Sequence, residues 1–188
     1  LTQKFEGGVL FEASLNEPFY KPQVFGFNLG YHIDEYHGVS LHYFTWNGGL
    51  SSYGQQLQEG ASIDQPFDAS KAPNAESMYY ISWEYNTYYG KISVSKQTVA
   101  NLSVYTMLGI GQVSFGSESN LALNAGLGQR VYFSENWALR IDLNLMFYTG
   151  PDPTSRDLLP SGPSYDAGDF DEKQYFNQAL TVGFVGFI

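Results

Sequence analysis

Between Trp137 and Tyr148 the chain alternates strictly between large apolar residues and mostly polar ones. One parity holds Trp137, Leu139, Ile141, Leu143, Leu145 and Phe147, and the other holds Ala138, Arg140, Asp142, Asn144, Met146 and Tyr148. Because successive side chains of a β-strand point to opposite faces, this segment predicts a strand with one apolar and one polar face. A soluble barrel or sandwich would bury the apolar face, whereas an outer-membrane barrel would expose it to lipid.

Eight segments of this kind follow one another, separated by stretches rich in turn residues. They are residues 3–14, 23–33, 39–46, 76–86, 101–115, 120–133, 137–148 and 174–188. Residues 87–100 are either an extended turn or additional strand, and no segment predicts a helix of two turns or more. Tight turns at 34–38 and 134–136 contrast with long loops at 47–75 and 150–173. Outer-membrane barrels with both termini in the periplasm have this arrangement of short turns and long loops.

The composition favours a membrane barrel over a soluble domain. Charged residues make up only 15% of the 188 residues, whereas a typical soluble domain has about 25%. No apolar run approaches the roughly 18 residues of a transmembrane helix, so a membrane-spanning form of this chain has to be a closed β-barrel. The net charge of −10 argues against nucleic acid as a partner.

Glycine positions indicate which face lies inside. Seven strand glycines have the parity opposite to the large apolar residues, namely Gly26, Gly30, Gly109, Gly111, Gly126, Gly128 and Gly183. Glycine weakens a strand, but inside a narrow eight-stranded barrel it makes room for larger side chains. We therefore predict an all-β fold, an eight-stranded antiparallel up-and-down transmembrane β-barrel, with residues 1–188 as a single domain. A lipocalin-like soluble barrel is the alternative.

The polar parity predicts a lumen filled by side chains. A lumen charge network is predicted from Lys4, Glu6, Glu84, Arg130, Arg140 and Asp142, with Arg130 opposite Arg140 across the turn 134–136. Because buried charges need partners, this network favours a structural plug over a conducting or gating element. Further polar and aromatic filling is predicted from His42, Tyr80, Tyr105, Asn124, Tyr132 and Asn144. An aromatic girdle is predicted from Tyr31, Tyr43, Tyr79, Trp83, Tyr85, Phe133, Trp137 and Phe147, which lie near strand ends.

A series of short motifs resembles a known family. Tyr89-Gly90-Lys91 precedes an apolar strand that ends in Gly109-Ile110-Gly111. A second Gly-x-Gly strand at 126–128 is followed by a turn and by Trp-Ala-Leu-Arg-Ile-Asp at 137–142. This order of motifs resembles a family of small outer-membrane β-barrel proteins best known from delta-proteobacteria. The resemblance covers about residues 76–147 and, more loosely, the last strand. It implies an outer-membrane location and says little about activity.

Two further groups of residues are candidates for catalysis or for metal binding. Ser40 and His42 share one face of the third strand. A lipid-modifying hydrolase would need a serine activated by a histidine in this way. However, this face of the strand is predicted to line the lumen, away from lipid substrates. The last loop carries Asp152, Asp157, Asp166, Asp169, Asp171 and Glu172. Their spacing fits no standard calcium loop, so a solvated acidic loop is the prediction. We expect no metal and no other cofactor.

The sequence thus predicts a non-enzymatic barrel of the outer membrane, with a filled lumen and both termini in the periplasm. Its role would be that of a structural or adaptor component of a cell-envelope assembly, acting through the long extracellular loops or the outer wall. The expected partners are outer-membrane lipid, lipopolysaccharide and other envelope proteins. A narrow channel is the first alternative, and a lipid-modifying enzyme is the second.

Overall fold

The computed structural model describes residues 2–60, 66–93 and 99–188. Eight antiparallel strands close into a ring in which each strand pairs with its neighbours in sequence and β8 pairs with β1. The strands are β1 (Lys4–Ser14), β2 (Tyr20–His32), β3 (His37–Leu50), β4 (Ser77–Ser93), β5 (Val99–Phe115), β6 (Glu118–Tyr132), β7 (Trp137–Pro151) and β8 (Glu172–Phe187). The predicted all-β, eight-stranded antiparallel up-and-down barrel is confirmed.

The two ends of the barrel differ in the size of their connections. The terminal end carries residue 2, Ile188 and the turns 33–36 and 133–136. The loop end carries residues 15–19, 51–60, 66–76, 116–117 and 152–171. Most of the irregular chain among the described residues therefore lies at the loop end.

The outer wall of the barrel is apolar and the lumen is layered. On β7, Trp137 is 50% exposed and Phe147 is 47% exposed, whereas Arg140 between them is fully buried. The lumen near the loop end is filled by an apolar cluster that includes Leu10, Val24, Phe44, Met78, Tyr80, Val113, Phe115 and Met146. A smaller apolar cluster of Ala138, Val185 and Phe187 lies near the terminal end. Charged side chains occupy the level between the two clusters.

Two strand glycines are required by close approach inside the lumen. A Cβ atom at Gly111 would collide with the backbone carbonyl oxygen of Tyr79, and one at Gly128 would collide with the Tyr105 ring and the Asp142 carboxylate. Glycine at these positions therefore lets neighbouring strands and large side chains come together in a barrel of only eight strands.

Strands β4 and β5 are longer than the sequence pattern predicts. The ambiguous residues 87–100 are additional strand as far as Ser93 and again from Val99, and residues 94–98 lie outside the described part of the chain. A register shift between Asn86 and Tyr88 interrupts the alternation, which is the reason that the pattern was ambiguous there. Pairing of β4 with β3 ends at Tyr85, but β4 remains paired with β5 as far as Ser93, and β5 remains paired with β6 as far as Asn101. The extra residues therefore extend one part of the barrel wall at the terminal end.

The long connection after β3 contains a short helix that the sequence did not predict. Helix α1 (Ser52–Gln58) is capped by Ser51, whose side chain accepts a hydrogen bond from Gly54 N at 3.0 Å, and it buries Gly54 and Leu57. Single turns of 3₁₀ helix occur at Ala69–Lys71, Pro153–Ser155 and Ala167–Asp169. No helix in the described ranges is long and apolar enough to cross a membrane.

Candidate functional site

Inward-facing residues of four strands bring charged side chains together in the middle of the lumen. This ion-pair cluster consists of Glu6 of β1, Glu84 of β4, Arg130 of β6, and Arg140 and Asp142 of β7, and each of them is at most 2% exposed. The register of β6 and β7 places Arg130 opposite Arg140. Because the strands alternate, all five side chains point away from the apolar outer wall.

Both arginines of the ion-pair cluster bridge the same two glutamates. Arg130 Nε lies 2.9 Å from Glu6 Oε2, and Arg130 Nη2 lies 2.5 Å from Glu84 Oε2. Arg140 Nη1 lies 2.9 Å from Glu6 Oε1, and Arg140 Nη2 lies 3.0 Å from Glu84 Oε1. In addition, Arg140 Nε donates to Asp142 Oδ2 at 2.6 Å. Such shared, charge-assisted contacts are stronger than hydrogen bonds between neutral groups.

Four further side chains complete the coordination of the three carboxylates. Asn28 Nδ2 donates to Glu6 Oε1 at 2.7 Å, and His32 Nε2 lies 2.9 Å from Glu6 Oε2. Ser40 Oγ donates to Glu84 Oε1 at 2.9 Å, and the Tyr105 hydroxyl donates to Asp142 Oδ1. The Tyr105 ring also lies under Arg130, with 3.9 Å from the guanidinium carbon to the ring centroid. The cluster is thereby a connected network and not a set of isolated pairs.

The remaining predicted lumen residues occupy other levels of the barrel. Lys4 lies apart from the ion-pair cluster: it is half-buried at the terminal end, where it lines a cavity of about 810 Å³ together with Tyr132. Asn124 Nδ2 donates to Asn144 Oδ1 at 3.3 Å, and Asn144 Nδ2 donates to Thr181 Oγ1 at 3.0 Å. Asn124, Asn144 and Thr181 thus form a polar chain on the loop-end side of the ion-pair cluster.

Asn28, His32 and Ser40 belong to the network, although none of them is among the residues predicted to form it. Their parity placed them on the polar face of β2 and β3, so the signal was present. The register of β1 and β2 pairs Glu6 with Gly30, which makes Asn28 and His32 the diagonal neighbours of Glu6 on the adjacent strand.

Ser40 and His42 are not arranged as a hydrolase pair. Ser40 donates its hydroxyl proton to Glu84, and the His42 ring nitrogens have no hydrogen-bond partner among the described residues. His42 instead stacks on the Tyr80 ring at 4.6 Å between centroids, and its Nε2 is 4.0 Å from Glu84 Oε1. Ser40 and His42 are at most 3% exposed, so neither can reach a lipid outside the barrel.

The residues predicted to form the aromatic girdle all lie on the outer wall and are between 36% and 63% exposed. Those towards the terminal end are Tyr31, Trp83, Tyr85, Phe133 and Trp137, and those towards the loop end are Tyr43, Tyr79 and Phe147. Several of them contact other rings of the outer wall, such as Trp137 with Phe184 at 5.1 Å between centroids. Aromatic side chains at these two levels match the interfaces of a bilayer.

The long loops fold together at the loop end into a unit that we term the loop cap, residues 51–60, 66–76 and 152–171. Asp68 N donates to Leu158 O at 2.7 Å, and Tyr165 N donates to Lys71 O at 3.1 Å. Ala72, Leu158 and Phe170 are buried between the loops, with Phe67 and Tyr165 packed against them. The loop cap therefore has its own small apolar core, separate from that of the lumen.

Asp152, one of the acidic residues of the last loop, supports the loop backbone. Asp152 Oδ1 accepts hydrogen bonds from Thr154 N at 3.0 Å and Thr154 Oγ1 at 2.7 Å. Although burial opposes ionisation, these hydrogen bonds and the nearby Lys173 ammonium lower the pKa of Asp152 below its usual value. Among the described residues there is no group of three or more His, Cys, Asp or Glu that could hold a metal ion.

A closed eight-stranded barrel with an apolar outer wall, aromatic girdles, a polar lumen and large loops at one end defines a class, the transmembrane β-barrels of the outer-membrane type. The structure is similar to the N-terminal β-barrel domain of Pseudomonas aeruginosa OprF, with a TM-score of 0.54, 11% sequence identity and coverage of 100% of this chain and 98% of that chain. Neisserial surface protein A (NspA) is also similar, with a TM-score of 0.41, 12% identity and coverage of 97% and 95%. No protein-family model and no curated protein sequence matches the chain.

Proposed function

We propose that this protein is a non-enzymatic barrel of the outer membrane that acts as a structural or adaptor component of a cell-envelope assembly. In this proposal its termini lie in the periplasm, its wall contacts membrane lipid and lipopolysaccharide, and its loop cap recognises another envelope component. The observation that carries the proposal is the combination of a lumen closed by buried ion pairs with a loop cap that is folded and exposed.

The closed lumen favours a structural role over transport. Arg130, Arg140, Glu6 and Glu84 contact one another across the full width of the barrel. An eight-stranded barrel has just enough interior to be filled by side chains. An ion that crossed the lumen would have to separate these buried pairs, each of which is costly to break.

The loop cap favours recognition. Loops on a rigid barrel commonly carry function, and here the two longest connections are held together by backbone hydrogen bonds and buried apolar side chains. Leu159 and Tyr53 remain 44% and 51% exposed on this unit. An ordered surface with exposed apolar side chains loses less conformational entropy on binding than a disordered loop does.

In vivo crosslinking tests the adaptor role. A photo-crosslinking residue in place of Leu159 should give specific adducts with an envelope component in the native host. The same residue in place of Glu135, which is exposed at the terminal end, is the control for position. If position 159 yields no adduct beyond those obtained at position 135, the loop cap is not the recognition surface and the adaptor role is wrong.

Planar-bilayer recordings of the purified protein separate the proposal from the channel alternative. The wild-type barrel should give no steady conductance, because the ion-pair cluster spans the lumen. Steady single-channel currents from wild type would support a narrow channel instead. A lipid-modifying enzyme would change the mass of lipid A on expression, and that change would disappear in a Ser40→Ala variant.

A further inference from the structure

A cavity of about 250 Å³ lies at the loop end, between the ends of the strands and the base of the loop cap. Six aromatic residues line it, namely Phe19, Tyr20, Phe115, Tyr148, Tyr175 and Phe176, together with four prolines. A space of about 40 Å³ adjoins it, shares Glu17, Tyr20 and Tyr148, and adds Trp46 to the walls. The volume is below that of a typical drug-sized site, so it suits a small molecule.

The tyrosine residues line this cavity with their rings, because the hydroxyl groups of Tyr20 and Tyr175 are hydrogen-bonded to backbone carbonyl groups. Tyr20 donates its hydroxyl proton to Ala69 O at 2.8 Å, and Tyr175 donates to Pro151 O at 2.7 Å. Tyr148 stacks on Tyr175 at 5.4 Å between centroids, and Phe115 lies 6.0 Å from Tyr148. The wall is thus a continuous aromatic surface whose π-electrons attract positive charge.

Glu17 places a carboxylate among these rings, and no cationic side chain of the described residues forms an ion pair with it. Glu17 lines both spaces, and its charge acts on Tyr20, Tyr148 and Tyr175. Its Oε1 accepts one long hydrogen bond of 3.3 Å from Phe19 N. Burial raises the pKa of Glu17, and the groups that partly offset this effect are backbone N–H donors and not side-chain cations.

A second carboxylate lies below the cavity, in the lumen. Glu12 is 6% exposed, and its Oε1 has no hydrogen-bond partner in the described part of the chain. Its charge also acts on Tyr148. Lys173 does line the cavity, but its ammonium lies 3.4 Å from Asp152 Oδ1 and is engaged there. Among the described residues that line the cavity, Glu17 is therefore the charged group without an ion partner, which makes the local environment negative.

We propose that this cavity binds a small organic cation of the quaternary or methylated ammonium class, with the aromatic rings around the cation and Glu17 as its counter-ion. The negative environment disfavours an anion, and aromatic walls offer too few oxygen ligands for a metal ion. Asn16 and Lys173 are exposed at the edge of the cavity, so a ligand can enter from the loop end. This assignment goes beyond the proposed function, which does not depend on a small ligand.

The test is titration of the folded full chain with choline. The protein is kept in maltoside micelles, because detergents with choline-like headgroups would compete. The neutral isostere 3,3-dimethylbutan-1-ol has the same shape without the charge. Calorimetry should show saturable binding of choline and at least about tenfold weaker binding of the isostere, since the ring and carboxylate interactions require a positive charge.

Two variants locate the binding in this cavity. Glu17→Gln keeps the size of the side chain and removes its charge, so it should weaken choline binding by about tenfold and leave the isostere unchanged. Glu35→Gln makes the same change at an exposed turn of the terminal end and should have no effect. Altered gel migration on heating verifies that each variant is a folded barrel. Equal binding of choline and its isostere, no saturable binding, or unchanged choline binding by Glu17→Gln would each overturn the proposal.

Discussion

Arg130 and Arg140 face each other directly across β6 and β7, and both guanidinium groups bind the same two glutamates. Like charges opposite each other normally destabilise a strand pair. Here Glu6 and Glu84 reverse that effect, since each carboxylate contacts both arginines. The Tyr105 ring adds a further favourable contact to both cations. The register of this strand pair is therefore stable only in a barrel that supplies the two glutamates from β1 and β4.

Removal of one arginine should destabilise the barrel. In Arg140→Ala, Asp142 and one oxygen of each glutamate lose their ionic partner in a buried site, so we expect the free energy of unfolding to fall by about 3–5 kcal/mol. Urea unfolding in lipid vesicles, followed by tryptophan fluorescence, measures this change. Arg156→Ala is the matched control, because the Arg156–Asp169 pair spans 3.9 Å with both side chains over 40% exposed, and its loss should cost at most about 1 kcal/mol. A large open pore with unchanged stability in Arg140→Ala would contradict the plug.

A methyl group at Gly128 should also be costly. The added Cβ would meet the Tyr105 ring and the Asp142 carboxylate, so Gly128→Ala should lower the free energy of unfolding by about 1–3 kcal/mol. Gly49→Ala is the control in another strand, since nothing lies within 4 Å of its added Cβ. Equal stability of the two variants in the same vesicle assay would mean that the lumen is less tightly packed than the structure indicates.

A single substitution to arginine tests whether the apolar outer wall faces lipid. Ile81 is 55% exposed on β4, between the girdle residues Tyr79 and Trp83, and an arginine at the middle of a bilayer costs about 2–4 kcal/mol. Ile81→Arg should therefore destabilise the barrel in vesicles by that amount. Leu159→Arg replaces an apolar residue of similar exposure in the loop cap, and there we expect a change within about 0.5 kcal/mol. Wild-type protein that stays monodisperse in buffer without detergent would show that this wall does not face lipid.

We expect the carboxyl group of Asp34, in the turn 33–36, to titrate with a pKa below its usual value. Asp34 Oδ1 accepts hydrogen bonds from Tyr36 N and His37 N, each at 2.7 Å, and these bonds lower its pKa below the usual value. The stabilisation is present above the unfolded pKa of about 3.9 and is lost as the pH falls through the lower, folded pKa. Carboxyl ¹³C shifts measured against pH check this directly. A midpoint at or above about 3.9 would show that the turn does not depend on the ionised side chain.

The sequence predicted the faces of the strands better than their lengths. Alternation from Trp137 to Tyr148 identifies the outer and inner residues of β7 without knowledge of the fold, because one face needs to be apolar. The turn 134–136 likewise fixes Arg130 opposite Arg140. Between Asn86 and Tyr88, in contrast, a bulge shifts the alternation of side chains by one residue. The extra length of β4 and β5 could therefore not be predicted from the sequence pattern.

Contacts across the lumen were harder to predict than contacts between neighbouring strands. Lys4 and Glu6 share one parity of β1, but only Glu6 reaches the arginines, and the depth of each depends on how β1 pairs with β8. Helix α1 was missed because seven residues with two buried positions carry no clear period. Its stability comes from the cap at Ser51 and from burial of Leu57, which is a tertiary contact.

Arg130 and Arg140 reach Glu6 and Glu84 only across the centre of the barrel, from strands that are not adjacent in the ring. The ion pairs with Glu6 therefore need β1 to join β8, because Glu6 lies across that seam from β6 and β7. Until β1 meets β8, the guanidinium nitrogens that bind Glu6 have to stay hydrated on an open, curved surface at the bilayer. We expect expulsion of that water to accompany the final joining of the seam, so that this last step commits the chain to its inserted state.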